Sequence, residues 1–481
     1  MTGLQVWQAF LRVKLTIDRI FRLCEYLPVD VANAQATRED SMTTTFRALL
    51  GATALCATAG IAAAQDTVTL TIATVNNGDM IRMQGLTDEF TAANPGINVE
   101  WVTLEENILR ERVTTDIATQ GGQYDILTIG TYEVPIWAKQ NWLVPLEFDE
   151  AYGVDDLIPA VRDALSVDGK LYAAPFYAES AMVMYRTDLA EAAGVTIPEA
   201  PTWTDIMTAA KAMTDKSAEQ YGICLRGKPG WGENMAFLTA MANSYGARWF
   251  DTDWNPQFDS PEWQATLTDY LTMMNEYGPP GASSNGFNEN LSLFQQGKCG
   301  IWIDATVAAS FVTDPEDSTV ADKVGFAQFP SKEGVDNRGN WLWAWSLAIP
   351  ASSDAQDAAK TFISWATSKG YTDLVAGKEG WRAAPPGTRT SLYENADYQA
   401  DAPFAAMTLT SINAANTQKA SVQDIPYTGG QFVAIPEFQG IGTAVGQQFS
   451  AALAGQMSAE DALAAAQAST TREMTRAGYI K

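Results

Sequence analysis

Short apolar runs alternate with amphipathic ones from residue 68 onward, the pattern of strands layered between helices. VTLTIATV (68–75) reads as a strand ending at Asn76, Asn77 and Gly78. The next stretch, DMIRMQGLTDEFTAANPG, reads as one helix closed by Asn94, Pro95 and Gly96. INVEWVTL (97–104) predicts a second strand, ILRERVTTDIATQ a second helix and YDILTIG (124–130) a third strand. Three βα units in order predict a parallel open sheet, and such sheets bind ligands beyond the carboxyl ends of their strands. Asn76, Asn77, Glu105, Glu106, Thr131 and Tyr132 stand at those ends. All are hydrogen-bonding groups, with no nucleophile and base side by side.

The segment KLYAAPFYAESAMVMYRTDLAEAAG (170–194) breaks this rhythm. A Gly-Lys turn feeds a strand, Pro175 interrupts it, and a new apolar strand and a helix follow, as expected of a chain crossing between two lobes. ENLSLFQQGKCGIWID (289–304) predicts helix then strand, and VGFAQFP and WLWAWSLAIPAS return to strand character. AAKTFISWATS and the Ala-rich tail around Phe449, Leu453 and Leu463 predict amphipathic helices.

Composition narrows the function. The 481 residues are 46% hydrophobic, enough for two cores. A net charge of −26 excludes nucleic acid and anionic membranes as partners, since both need clustered Lys and Arg. Histidine is absent, which removes Ser-His-Asp and Cys-His catalysis, His-ligated zinc and the commonest neutral-pH base. From Met42, MTTTFRALLGATALCATAGIAAAQD carries the parts of an export signal: Arg47, an apolar run over 48–61, and Ala62, Ala63 and Ala64 before Gln65. The run is shorter than the roughly 20 residues of a membrane span. Bulky Leu55 argues against a lipoprotein site at Cys56, and residues 1–41 are best read as lying before the true start, Met42. Cleavage leaves Cys224 and Cys299, either bridged or as two buried thiols.

Three other features carry less. DTDWNPQFDSPE (251–262) has acidic and amide residues at calcium-loop spacing, but Pro256 stands where that loop needs glycine. A turn followed by a helix start at Ser260 and Pro261 is the expected reading. Gly440, Gly442 and Gly446 give GxGxxxG with no preceding strand, which does not fit a dinucleotide fingerprint. Paired carboxylates of a secreted glycoside hydrolase are the alternative from another class, but nothing pins two of them at a fixed separation.

FTAANPGINVEW, QYDILTIG, LYAAPFYAESAMVMYRTDLAEAAG, GKCGIWID, WAWSLAIPAS and IPEFQGIGTAVGQQFSAALAGQMSAEDAL occur in an order that resembles the extracellular solute-binding proteins of carbohydrate ABC importers, the maltose-binding-like family. NNGDMIRMQ, GTYEVPIW, FYAESAMVMYR and EGWRAAPPGTRTSLYENADY are most similar to its sorbitol- and mannitol-binding members. The resemblance implies an α/β protein of two hinged, discontinuous lobes: 65–174 with 305–370, and 175–304 with 371–481, after a 1–64 leader. It implies a periplasmic monomer that hands a neutral polyol or sugar to membrane permease subunits, with no cofactor, metal or catalytic residue.

On the family's positions the ligand is expected to meet Asn76, Glu105, Thr131 and Tyr132 from the first segment, and Tyr177 and Glu179 from the crossing strand. Trp231 comes from the second lobe and Asp304 from its return strand. Asn340, Trp341, Trp343, Arg382 and Arg389 complete the rim. Core packing is the competing role for each aromatic, and a surface charge for the two arginines. N-terminal sequencing of exported protein is expected to begin at Gln65; material beginning at Met1 or Met42 would contradict the cleavage assignment.

Overall fold

The computed structural model describes residues 67–481, so the leader, Cys24, Cys56 and the expected cleavage point lie outside the described residues. The first apolar run forms β1 (Val68–Val75), buried almost throughout from Leu70 because helices cover both faces of its sheet. The helix expected after it is two: α1 (Gly78–Gly85), then a seven-residue helix beginning at Thr87. Leu86 separates them at φ −98° and ψ 3°, just after Gly85, a poor helix former. β2 (Ile97–Leu104), α2 (Glu106–Thr119) and β3 (Ile126–Ile129) follow as expected.

β4 (Ala174–Glu179) and β5 (Ala181–Arg186) are separated by Ser180 alone. Beyond them lie β6 (Tyr221–Cys224), α3 (Asn234–Ser244), α4 (Pro261–Tyr277), α5 (Phe287–Gln295), β7 (Cys299–Ala305) and β8 (Val324–Gln328). The chain then runs through β9 (Trp343–Ala348), α6 (Lys369–Glu379), α7 (Ala405–Ala414), α8 (Phe438–Leu453) and α9 (Ala459–Arg476). The Asp251 loop closes on itself: Asp251 accepts from the backbone N–H groups of Asp253 and Asn255, and Ser260 caps α4.

Two larger sheets result, in the orders β2-β1-β3-β9-β4 and β8-β5-β7-β6, beside a two-stranded hairpin in which Ser166 pairs with Leu171. The first is mixed rather than wholly parallel. β1 pairs in parallel with β2 and β3, whereas β9 is antiparallel to both β3 and β4, because the chain enters β9 from the second lobe. The carboxyl ends of β1, β2, β3 and β4 and the start of β9 therefore share one edge. In the second sheet the ends of β6 and β7 and the start of β5 share an edge in the same way.

Strand pairing moves the expected lobe boundaries. Pro175 does not end the first lobe: β4 is an edge strand, where a missing N–H is tolerated, and Pro175 pairs with Ser346 beside a register shift. The crossing is at Ser180. β8, expected in the first lobe, pairs with β5 in the second sheet. Residues just after 370, expected in the second lobe, still pack on the first: Pro386 O accepts from Ala178 N at 2.9 Å and Thr388 O from Ile158 N at 2.9 Å. Hydropathy identifies a strand but not the sheet it joins.

Cys224 and Cys299 are bridged, with Cα atoms 6.0 Å apart, and tie β6 to β7. Both are fully buried. No helix among the described residues is long and apolar enough to cross a membrane. Replacing both cysteines by serine should cost about 2–5 kcal/mol, the usual range for a native bridge closing a long loop. Equilibrium urea unfolding of the oxidised protein and of the double variant measures it; equal midpoints would show that the bridge adds nothing.

Candidate functional site

Trp343 and Trp345 stand two residues apart on β9, so they face the same side of the first sheet. Across the ladder they pair with Glu179 and Tyr177 of β4, which puts two indoles, a carboxylate and a phenol on one surface. Gly130 lies against the Trp343 ring: a Cβ there would come within 2.1 Å of it. Arg110, one turn along α2 from Glu106, places its guanidinium carbon 4.8 Å from the Trp343 ring centre and 4.9 Å from that of Trp345. Its Nη1 donates to Glu133 at 2.8 Å, and Nε and Nη2 both donate to Glu106 Oε1. Glu133 in turn accepts from Gly130 N at 3.0 Å.

The second lobe supplies the facing wall from the loop between β6 and α3. Arg226 is gripped by Asp304: Nη2 donates to Oδ1 at 2.7 Å and Nε to Oδ2 at 2.9 Å. Arg226 Nη1 also donates to Gly232 O at 3.0 Å, so the ion pair holds the loop's backbone. Trp231 projects from that loop onto Arg110, whose guanidinium carbon is 4.0 Å from the indole centre. Lys228 pairs with Glu105 of the first lobe and, at 3.3 Å, with Glu233. Two of the glycines in GxGxxxG make room here: a Cβ on Gly442 would come within 2.8 Å of Trp231 Cβ, and one on Gly446 within 2.6 Å of Asn234 Oδ1.

These walls enclose a cavity of about 80 Å³. One water needs about 10–15 Å³ in this measure, so the space suits one small solute. The indole N–H groups of Trp231, Trp341 and Trp343 are buried without a hydrogen-bond partner, as are Asn77 Oδ1, Glu233 Oε2 and Gln431 Oε1. All six residues line this cavity. Asn77 Nδ2 donates to Tyr177 OH at 2.5 Å, fixing the amide so that its oxygen is the free end. Glu179 also lines the cavity, and burial pushes its carboxyl well above the usual range against the pull of Arg226, with Asp304 and Glu106 adding to the rise. Burial, with Glu106 nearby, raises Glu233 to about 7 although Arg226 and Lys228 oppose it. The arginines and the lysine are already committed to carboxylates, so the cavity offers indole donors, amide oxygens and carboxyl groups that burial drives toward the neutral form, but no uncommitted cation among the described residues.

Of the expected site residues, Asn76, Glu105, Tyr177, Glu179, Trp231, Trp341 and Trp343 line the cavity. The others lie elsewhere. Thr131 donates to Leu342 O at 3.1 Å, and Tyr132 backs Trp231 at 4.7 Å while its hydroxyl donates to Ile435 O. Asp304 is fully buried behind Arg226. Asn340 sits at the crossing, where Nδ2 donates to Ser180 Oγ at 3.3 Å and to Ala181 O at 3.4 Å. Arg382 pairs with Asp401 at 2.9 Å. Arg389 is a buried anchor inside the first lobe, donating to Gly153 O and Thr367 O, and not a surface charge.

Sequence reasoning missed Arg110, Arg226, Lys228, Glu233, Trp345 and Gln431. Trp345 was legible as the period-two partner of Trp343. The charged residues carried no sufficient local signal, because each acquires its place at the cavity from packing against elements distant in sequence: Arg110 against Trp231 and Trp343, Arg226 against Asp304, Lys228 against Glu105.

A sequence profile described as bacterial extracellular solute-binding protein matches residues 77–373. A mannitol-binding protein of Pseudomonas aeruginosa is 57% identical over 419 residues, 87% of this chain and 96% of that protein. An ABC transporter solute-binding protein of Agrobacterium vitis, solved with D-mannitol bound, is 68% identical with a TM-score of 0.85, covering 86% of this chain and all of that one. A relative from Agrobacterium radiobacter, solved with ribitol, is 27% identical with a TM-score of 0.75 over 85% of this chain and 99% of that one.

Because burial raises the folded-state value of Glu179, its proton is held in the folded chain and lost in the unfolded one once pH exceeds about 4.3. Stability from this group is present below that pH and is lost as pH rises toward the folded value. Glu179→Gln removes the cost. The ligand-free variant should melt above wild type at pH 8 and match it near pH 4; equal melting at pH 8 would show that the carboxylate is not penalised.

Proposed function

The chain belongs to the bacterial extracellular solute-binding protein family, and from that membership we propose that it captures D-mannitol, or a closely similar linear polyol, for an ABC importer. One observation carries the reading: unmatched indole N–H donors and carboxylate and amide acceptors converge on a single small cavity between two lobes. Each polyol hydroxyl both donates and accepts, so it can match either kind. The tryptophan rings cover the C–H faces. Leaving these buried groups unpaired is costly, which favours a ligand that satisfies them together.

Closure follows from the same contacts. Glu179, Trp341 and Trp343 extend from the first sheet or its approach, whereas Trp231 and Glu233 extend from the loop after β6. A ligand touching both walls stabilises only the closed arrangement, the form in which such proteins dock on their permease. Anionic sugars are disfavoured, since Arg110, Arg226 and Lys228 are already paired and no other cation among the described residues lines the cavity to neutralise an added negative charge. The cavity is also small for an oligosaccharide. The three relatives above are described as binding proteins, none as a hydrolase. Release after Ala64, into the periplasm, accords with the extracellular family.

Calorimetric titration with D-mannitol, D-sorbitol, maltose and mannitol 1-phosphate tests the assignment. The hexitols should bind most tightly and the phosphate least. Glu179→Gln, which replaces a carboxyl group that both donates and accepts by an amide with fixed donors and acceptor, should weaken mannitol binding by about two- to tenfold, the scale of one neutral hydrogen bond. Tightest binding to maltose would refute the polyol reading while leaving the transport role.

A further inference from the structure

The two walls of the cavity meet along a seam where one residue has no room for a side chain. A Cβ on Gly232 would lie 2.3 Å from Glu106 Oε1, 2.9 Å from Arg110 Nε and 3.0 Å from Arg110 Nη2. We propose that Gly232 is the positioning residue for ligand capture: its bare backbone lets the Trp231 loop of the second lobe seat on the Glu106–Arg110 pair of the first, and any side chain there props the cleft open. This inference rests on the functional reading above.

Neither surface can yield. On the first lobe, Glu106 Oε1 is held by two N–H groups of Arg110, and Arg110 by Glu133. The guanidinium is packed against Trp343 and Trp345, and Arg110 is only 5% exposed. On the second lobe, the Gly232 carbonyl is tied to Arg226 and through it to Asp304, while Trp231 abuts Gly442. Gly230 faces a softer neighbour: a Cβ there would meet Asn107 Oδ1 at 2.5 Å, the tip of a half-buried amide whose side chain is held by one long hydrogen bond, Nδ2 to Pro229 O at 3.3 Å. Gly232 has no left-handed backbone angle, so the glycine is needed for clearance rather than for conformation. Within its own lobe an alanine is therefore tolerated, and the clash arises only when the lobes meet.

The test compares wild type with Gly232→Ala by melting, by calorimetry with D-mannitol, and by zero-length carbodiimide coupling of Lys228 to Glu105, a contact that spans the seam. Wild type should couple when saturated with mannitol. Gly232→Ala should melt like ligand-free wild type, lose the coupling and bind about ten- to hundredfold more weakly. Gly230→Ala should lose less of both. If Gly232→Ala couples and binds as wild type does, or unfolds instead of standing open, the proposal is overturned. Wild type that couples but ignores mannitol would overturn the ligand reading alone, with the alanine's effect on coupling still deciding the seam.

Discussion

The cleft is organised around a guanidinium that is almost wholly buried, that of Arg226. Arg226 has to be neutralised where it lies, and Asp304 does so with hydrogen bonds at 2.7 and 2.9 Å. Breaking one side of such a pair typically costs about 3–5 kcal/mol, because the remaining charge is stranded. Once fixed, Arg226 holds the Gly232 carbonyl, so a strand-end carboxylate deep in the second sheet sets the position of the loop that covers the ligand space. The disulfide between β6 and β7 ties together the strands that carry the two partners. Asp304 thus acts through Arg226, and its distance from the cavity is the reason it can act as an anchor.

The first lobe answers with the same device in a different setting. Arg110 is neutralised by Glu106 and Glu133, and its planar group is stacked among indoles that would otherwise expose large apolar faces to a polar ligand. With each cation that lines the cavity engaged by a carboxylate, the groups left free there are indole N–H donors and acceptor oxygens. That remainder is what a neutral polyol satisfies. The rigidity needed to hold the cations is also what makes the seam intolerant of added volume, since packed and paired surfaces cannot relax around a methyl group.

Periodicity in the chain determined the kind of each element. β1, β2, β3 and the tail helices stand where apolar alternation predicted them, and of the polar residues at the first strand ends Asn76, Asn77, Glu105 and Glu106 did reach the cavity. The order of motifs also pointed to the two-lobed family. These properties are readable because they depend on which side of one segment is buried, and that is written locally.

Tertiary structure decided the rest. Whether β8 joined the first sheet or the second, whether Asp304 faced a ligand or an arginine, and whether Asn340 lined the rim or clasped the crossing at Ser180 all depended on partners far along the chain. Gly232 looks like an ordinary loop residue until Glu106 and Arg110 are brought against it. A sequence records hydrophobicity and charge one residue at a time. A site is made by distances of a few ångströms between residues far apart in the chain, 78 positions for Arg226 and Asp304 and 123 for Lys228 and Glu105, and only the folded chain sets those distances.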